Sequence, residues 1–153
     1  MALTLLEANR MVQAPIAKAN GLNVKVSIAV CDAGGSLLAF NRMEGASAVS
    51  AIVAQGKAAA SAGFGRASGA LQADSPVIQA IITNMGGRML PAQGAVPLHK
   101  NGELVGAIGG SGATAQQDEE CAQAGSSALL LWLDSISACN IHDCPDVDQR
   151  EYY

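Results

Sequence analysis

Aromatic side chains are scarce in this chain: of 153 residues two are Phe, two Tyr and one Trp. An interior without rings has to be filled by small side chains, and the 17 glycines, with alanine in every segment, point to helices lying close on a sheet. Charge is sparse too, at 14%. Nine Lys and Arg stand against thirteen Asp and Glu, a net charge of −4 with no basic cluster, so a nucleic-acid backbone finds nothing to neutralise it and is excluded as a partner. No window approaches eighteen unbroken apolar residues, which argues against a membrane-spanning helix. Met1 to Glu7 lacks the basic start, apolar run and small-residue cleavage site of an export signal, so a cytoplasmic location is expected, with no membrane partner. In that setting the four cysteines, Cys31, Cys121, Cys139 and Cys144, read as thiols rather than as a disulfide framework.

Half of the residues are hydrophobic, enough for one core but not for two, and a single domain over residues 1–138 with a tail or arm over 139–153 is expected. Thr4 and Glu7 form a capping box ahead of Leu5, Ala8, Val12, Ile16 and Ala19 at helical spacing. Pro15 falls inside that helix and predicts a kink or an early end near Ala14. Val24 to Cys31 alternates with the two-residue period of a half-buried strand, Asp32 to Gly35 supplies a turn, and Ser36 to Arg42 is the returning strand. An Ala-rich helix over Ser47 to Ala62 and a second from Ser75-Pro76 to the stop at Gly86-Gly87 follow. Asn101-Gly102 joins Ala95–Lys100 to Glu103–Ile108 as a type I′ hairpin. The glycine-rich loop Gly109 to Ala113 then leads to a last helix capped by Thr114 with Gln117. Hairpins instead of repeated β-α-β units predict an α/β (α+β) arrangement, an antiparallel sheet flanked by helices, and argue against a doubly wound dinucleotide-binding fold.

Several stretches in this order resemble the GlcG/HbpS-like family of haem-degrading domains, which includes domains like the C-terminal part of PduO. They are VSIAVCDAGG from Val26, LAFNRMEG from Leu38, KAA from Lys57, PAQGAVP from Pro91 and GELVGAIG from Gly102. Ser111-Gly112, QDEECA from Gln117 and Ala124-Gly125 continue the match, which spans roughly residues 3 to 130. The resemblance implies a profilin-like fold with a five-stranded antiparallel sheet between helical layers, and assembly into homo-oligomers. Members of the family bind haem or accompany catabolic pathways that consume glycolate, propanediol and similar small oxygenated compounds. Haem-binding relatives carry a histidine in the first helix; here that helix offers Met11 and Lys18, and the only imidazoles of the chain are His99 and His142.

The residues able to carry chemistry each have two readings. Gly110, Ser111 and Gly112 could present backbone N–H groups to an anion at a helix start, or that start is already satisfied by Asp118, Glu119 and Glu120. Arg42, Lys57 and Arg66 could border a pocket and clamp a carboxylate or haem propionate, or they are solvated surface charge or ion pairs with Glu44 or the acidic trio Asp118, Glu119 and Glu120. Lys57 on an apolar helix is a candidate base or Schiff-base amine, or snorkels to water. Met85, Met89, Leu90, Pro91 and Gly94 could line a pocket entrance, or belong to ordinary core. His99 is a general base if a carboxylate supports it and surface otherwise. Cys139, His142 and Cys144 are three metal-like ligands without a fourth at the usual spacing, so no metal is expected; a local disulfide or free thiols are the other readings. The resulting expectation is an oligomeric domain that binds haem or another small anionic metabolite. The competing expectations are an enzyme using acid–base chemistry on a small oxygenated or carboxylate substrate through Lys57, His99 and Asp118 or Glu119, and a purely structural assembly protein.

Overall fold

The computed structural model describes residues 2–138. The Thr4 hydroxyl accepts the Glu7 N–H while the Glu7 carboxylate takes the Thr4 N–H, so the capping box opens α1 (Leu5–Met11) as expected. The helical run breaks at Val12, two residues before the expected site, and resumes as α2 (Gln13–Gly21). Pro15 thereby falls in the first turn of α2, where a missing N–H leaves no bond unmade.

Two hairpins follow: β1 (Ser27–Asp32) with β2 (Leu37–Arg42), and β3 (Ala95–Lys100) with β4 (Glu103–Ser111). They join into one antiparallel sheet in the order β2-β1-β4-β3. The expectation of five strands is corrected to four among the described residues: each hairpin contributes two, and the long connection between them is occupied by α3 (Ala48–Phe64), a short 3-10 turn (Ser68–Ala70) and α4 (Pro76–Asn84). Asn101 and Gly102 both have positive φ, 51° and 80°, as a type I′ turn demands. The sheet lies between helices: α1, α2 and α5 (Ala115–Ala138) pack on one face and α3 on the other.

β1 corrects the reading of its own alternation, because it is buried on both sides. Val26, Ile28 and Val30 enter the large core with Met11, Leu98, Ile108 and Leu129, while Ala29 and Cys31 meet Ala54, Ala58, Ala62 and Ala107 in a layer made almost wholly of alanine. The period of two separates large from small rather than inside from outside. The glycine-rich segment is likewise strand and not loop as far as Ser111. A Cβ on Gly109 would stand 2.7 Å from the Ala54 carbonyl of α3, and one on Gly110 2.8 Å from the Asp118 carbonyl of α5, so the two glycines let a helix down onto each face.

A buried ion pair ties the N-terminus to the second hairpin. Lys100 Nζ sits 2.6 Å from both Glu7 carboxylate oxygens and also donates to the Ala2 carbonyl. Burial works to raise the Glu7 pKa, but Lys100 and the Thr4 donors outweigh it and hold the carboxyl below its ordinary 4.5. A depressed folded-state pKa makes the Glu7 contribution complete above about 4.5 and lost as pH falls through the lower folded value. Melting curves of wild type and Glu7→Gln should therefore lie apart at pH 7 and converge toward pH 3; a constant separation would show that ionised Glu7 does not stabilise the fold.

Candidate functional site

Lys57 and Asp118 come together, although they lie on helices on opposite faces of the sheet. Lys57 Nζ donates to Asp118 Oδ2 at 2.8 Å and to the Gly110 carbonyl at 3.1 Å, and the two side chains are 6% and 4% exposed. The lysine passes the start of β3 at Gly94, where a Cβ would stand 2.6 Å from Nζ. The other Asp118 oxygen accepts the Ala113 N–H, and Thr114 and Gln117 cap each other reciprocally. The start of α5 is thus satisfied by its own side chains, with Ser111 buried in β4 and Gly112 against the Lys25 carbonyl. This is a closed charge pair joining the two helical layers, and it presents no free amine or anion cradle.

The remaining sequence candidates are dispersed. Arg42 is exposed at the end of β2 and donates to the Ala46 carbonyl at 2.6 Å, just before α3, whereas Arg66 is exposed just beyond the other end of that helix. A 17-residue helix is roughly 25 Å long, so the two arginines cannot share one small ligand with Lys57. His99 is exposed on the edge strand β3, roughly 16 Å along it from Gly94 and hence from the Lys57 amine. Glu119 is half-buried on α5. Met11 is 1% exposed inside the core, and Lys18 is 3.9 Å from Glu120. Cys139, His142 and Cys144 lie outside the described residues, among which no group of His, Cys, Asp or Glu is arranged to hold a metal ion.

A groove of about 630 Å³ lies between the turn of the first hairpin, α3 and the segment after α4. Leu37 and Ile52 stand on its walls, Cys31 and Ala59 contribute to its lining, and Arg88, Met89 and Leu90 close one side. The Leu90 N–H bonds to the Gly56 carbonyl at 2.9 Å, and the missing side chain at Gly56 is what lets the segment approach α3. Burial, with a smaller contribution from the Asp32 charge, pushes the Cys31 thiol up to about 12, and its Sγ donates to the Ala107 carbonyl, so it is no thiolate nucleophile near neutral pH. Arg88 is the only charged side chain lining the groove among the described residues. Of the residues expected at a pocket entrance, Met89 and Leu90 line this groove, Met85 adjoins it, and Pro91 and Gly94 continue toward β3. Arg88, Cys31, Leu37 and Ile52 were not singled out from sequence; the signal available was Arg88 directly after the Gly86-Gly87 helix stop.

No described helix is long and apolar enough to cross a membrane. The family model for the haem degrading protein HbpS-like family matches residues 3–127. An uncharacterized 15.0 kDa protein of Citrobacter freundii, from the dhaT-dhaS intergenic region, is 34% identical over 125 residues, 79% of this chain and 87% of that protein. The crystal structure of Klebsiella pneumoniae ORFY superposes with a TM-score of 0.74 at 29% identity, covering 90% of this chain and 92% of that one. The PduOC:heme complex superposes with a TM-score of 0.74 at 26% identity, covering 84% and 95%. From the first capping box to the middle of the last helix, this chain is a member of the HbpS-like family of haem-degrading proteins.

Proposed function

We propose that this protein is a small-ligand-binding domain whose groove takes a flat, largely apolar molecule with a carboxylate, of the porphyrin class. The observation that carries the reading is the groove itself: about 630 Å³ of mostly apolar lining with one cation among the described residues, Arg88, within the size range of small-molecule sites. Arg88 is placed to pair with a carboxylate, and Leu37, Ile52 and Leu90 supply apolar contact to the body of the ligand. A structural neighbour solved as its haem complex supports the ligand class, as does the family's description as haem degrading.

The residues fit a macrocycle better than they fit its iron. Among the described residues the groove lining includes no imidazole; its sulfur donors are the Met89 thioether and the protonated Cys31 thiol. Recognition should therefore be of the apolar ring and the carboxylate. Hemin and iron-free protoporphyrin IX, titrated by absorbance and fluorescence, should bind with affinities within roughly threefold of each other. Arg88→Ala should weaken both roughly fivefold, about 1 kcal/mol for a lost charge-assisted contact at an exposed site. His99→Ala should leave both unchanged. Hemin binding that disappears in His99→Ala, or that ignores Arg88→Ala, would sink this reading.

A further inference from the structure

We propose a second binding site, on the face of the sheet opposite the groove: a cleft between α1, the start of α2 and the edge strand β2 that takes a small hydroxylated carboxylate. The cleft measures about 290 Å³. Leu6 and Val12 contribute its apolar lining, and Asn9, Arg10, Gln13 and Asn41 its polar lining. Asn41 is the member that local sequence does not explain. It stands opposite Ile28 in the β1–β2 register, as Ala39 stands opposite Val30, and Ile28, Val30 and Ala39 all belong to the large core. Opposed residues share a face, so Asn41 holds a core-side position of β2, where an apolar side chain would carry the core to the edge of the sheet. It is half-buried, and its amide bonds to no protein group among the described residues; the same is true of the exposed Asn9 and Gln13 amides. Three side-chain amides without protein partners thus converge on one cavity, and a polar group on the core side of a sheet calls for a partner.

Arg10 supplies the charge. Its guanidinium lies 5.2 Å from the centroid of the Trp132 ring on α5, a contact that restrains its plane and leaves its N–H edge for a carboxylate. No Asp or Glu lines the cleft among the described residues, so the site is locally positive on a chain of net charge −4. The amides set the rest of the ligand. A guanidinium only donates, whereas each amide offers a carbonyl beside its two N–H groups, and a ligand uses those carbonyls only if it brings donors of its own. Hydroxyl groups both donate and accept, so alcohol groups placed around one carboxylate match all four polar residues. An apolar acid would leave the amides without partners, and a cation would meet Arg10. About 290 Å³ holds a molecule of metabolite size rather than a macrocycle.

D-Gluconate titrated into the isotope-labelled full chain tests the site by NMR, with D-glucitol, which lacks the carboxylate, and butyrate, which lacks the hydroxyls, as comparisons. The side-chain amide resonances of Asn9, Gln13 and Asn41 should shift together and saturate with gluconate. Either comparison compound should bind roughly fivefold more weakly or worse. Arg10→Gln, a change at an exposed position, should bring gluconate down to the affinity of D-glucitol. Asn41→Leu should abolish the shifts at Asn9 and Gln13 and melt no lower than wild type. Arg10→Gln decides the site whether or not Asn41→Leu folds. Gluconate that produces no saturable shift, or that binds Arg10→Gln as it binds wild type, would overturn the site. Butyrate as tight as gluconate would overturn the recognition of hydroxyls by the amides, and D-glucitol as tight as gluconate would overturn the carboxylate.

Discussion

Lys57→Ala should cost about 3–5 kcal/mol of stability, measured by urea denaturation, and lower the melting temperature by roughly 10 °C. The truncation leaves the Asp118 carboxylate 4% exposed with the Ala113 N–H as its remaining donor, and strips the Gly110 carbonyl of the lysine at the edge where β3 begins. Taking one charge from a buried pair is expensive because the other cannot return to water without opening the structure; here opening means parting α5 from the sheet. The same reasoning requires that removing both charges cost far less. Lys57→Met with Asp118→Leu should recover most of the loss, since two apolar side chains of similar volume need no partners. A single substitution costing less than about 1 kcal/mol, the range of exposed pairs, would mean that water reaches Nζ and that the pair is no tie between layers.

Gly109→Ala and Gly21→Ala should give opposite results although both add one methyl group. At Gly109 the new Cβ would stand 2.7 Å from the Ala54 carbonyl and 2.9 Å from the Ala58 nitrogen, both of them backbone of α3, so no rotamer change relieves the contact. The helix has to lift from the sheet, opening the alanine layer; overpacking of this kind costs about 1–3 kcal/mol for alanine. Gly109→Val should cost more and leave little folded protein. At Gly21, the last residue of α2, nothing lies within 4 Å of the added atom. There alanine should be neutral or gain up to about 1 kcal/mol by restricting the unfolded chain. Paired urea titrations decide it, and a Gly109→Ala protein as stable as wild type would show that α3 is free to shift on the sheet.

Features legible in the sequence were those whose partners sit a few residues apart. The Thr4/Glu7 and Thr114/Gln117 caps and the Asn101-Gly102 turn each close a hydrogen-bonded ring within their own segment. The family was legible too, through the order of short motifs over both hairpins. The β1 faces were not, because alternating Ile or Val with Ala and Ser produces the same pattern whether the small side meets water or an alanine-rich helix. Gly109 and Gly110 read as loop for a similar reason: glycine signals close approach and turn alike, and only the position of α3 and α5 decides between them. Lys57 stood out as a lone cation on an apolar helix, and an ion pair with the acidic trio was among its readings, but which carboxylate it meets, 61 residues away, no local spacing reveals. The groove is assembled from three segments around residues 31–37, 52–59 and 87–90, and none of them carries a motif by itself. The tail with Cys139, His142 and Cys144 lies outside the described residues.

The groove wall and the buried charge pair share one helix: Ile52 and Gly56 face the groove, and Lys57, next in the chain, is anchored to Asp118 on the far layer. Between that helix and the sheet lie chiefly alanines and bare backbone at Gly109, joined by the Cys31 thiol, the Ser27–Ser50 hydroxyl pair and Phe40, so few long side chains there can re-arrange. A wall seated mainly on methyl groups and backbone, which have no rotamer to change, is held in place before anything enters. On the proposed reading of the groove, an entering molecule would meet a preorganised surface, spend little of its binding energy on ordering the protein, and be selected by its thickness.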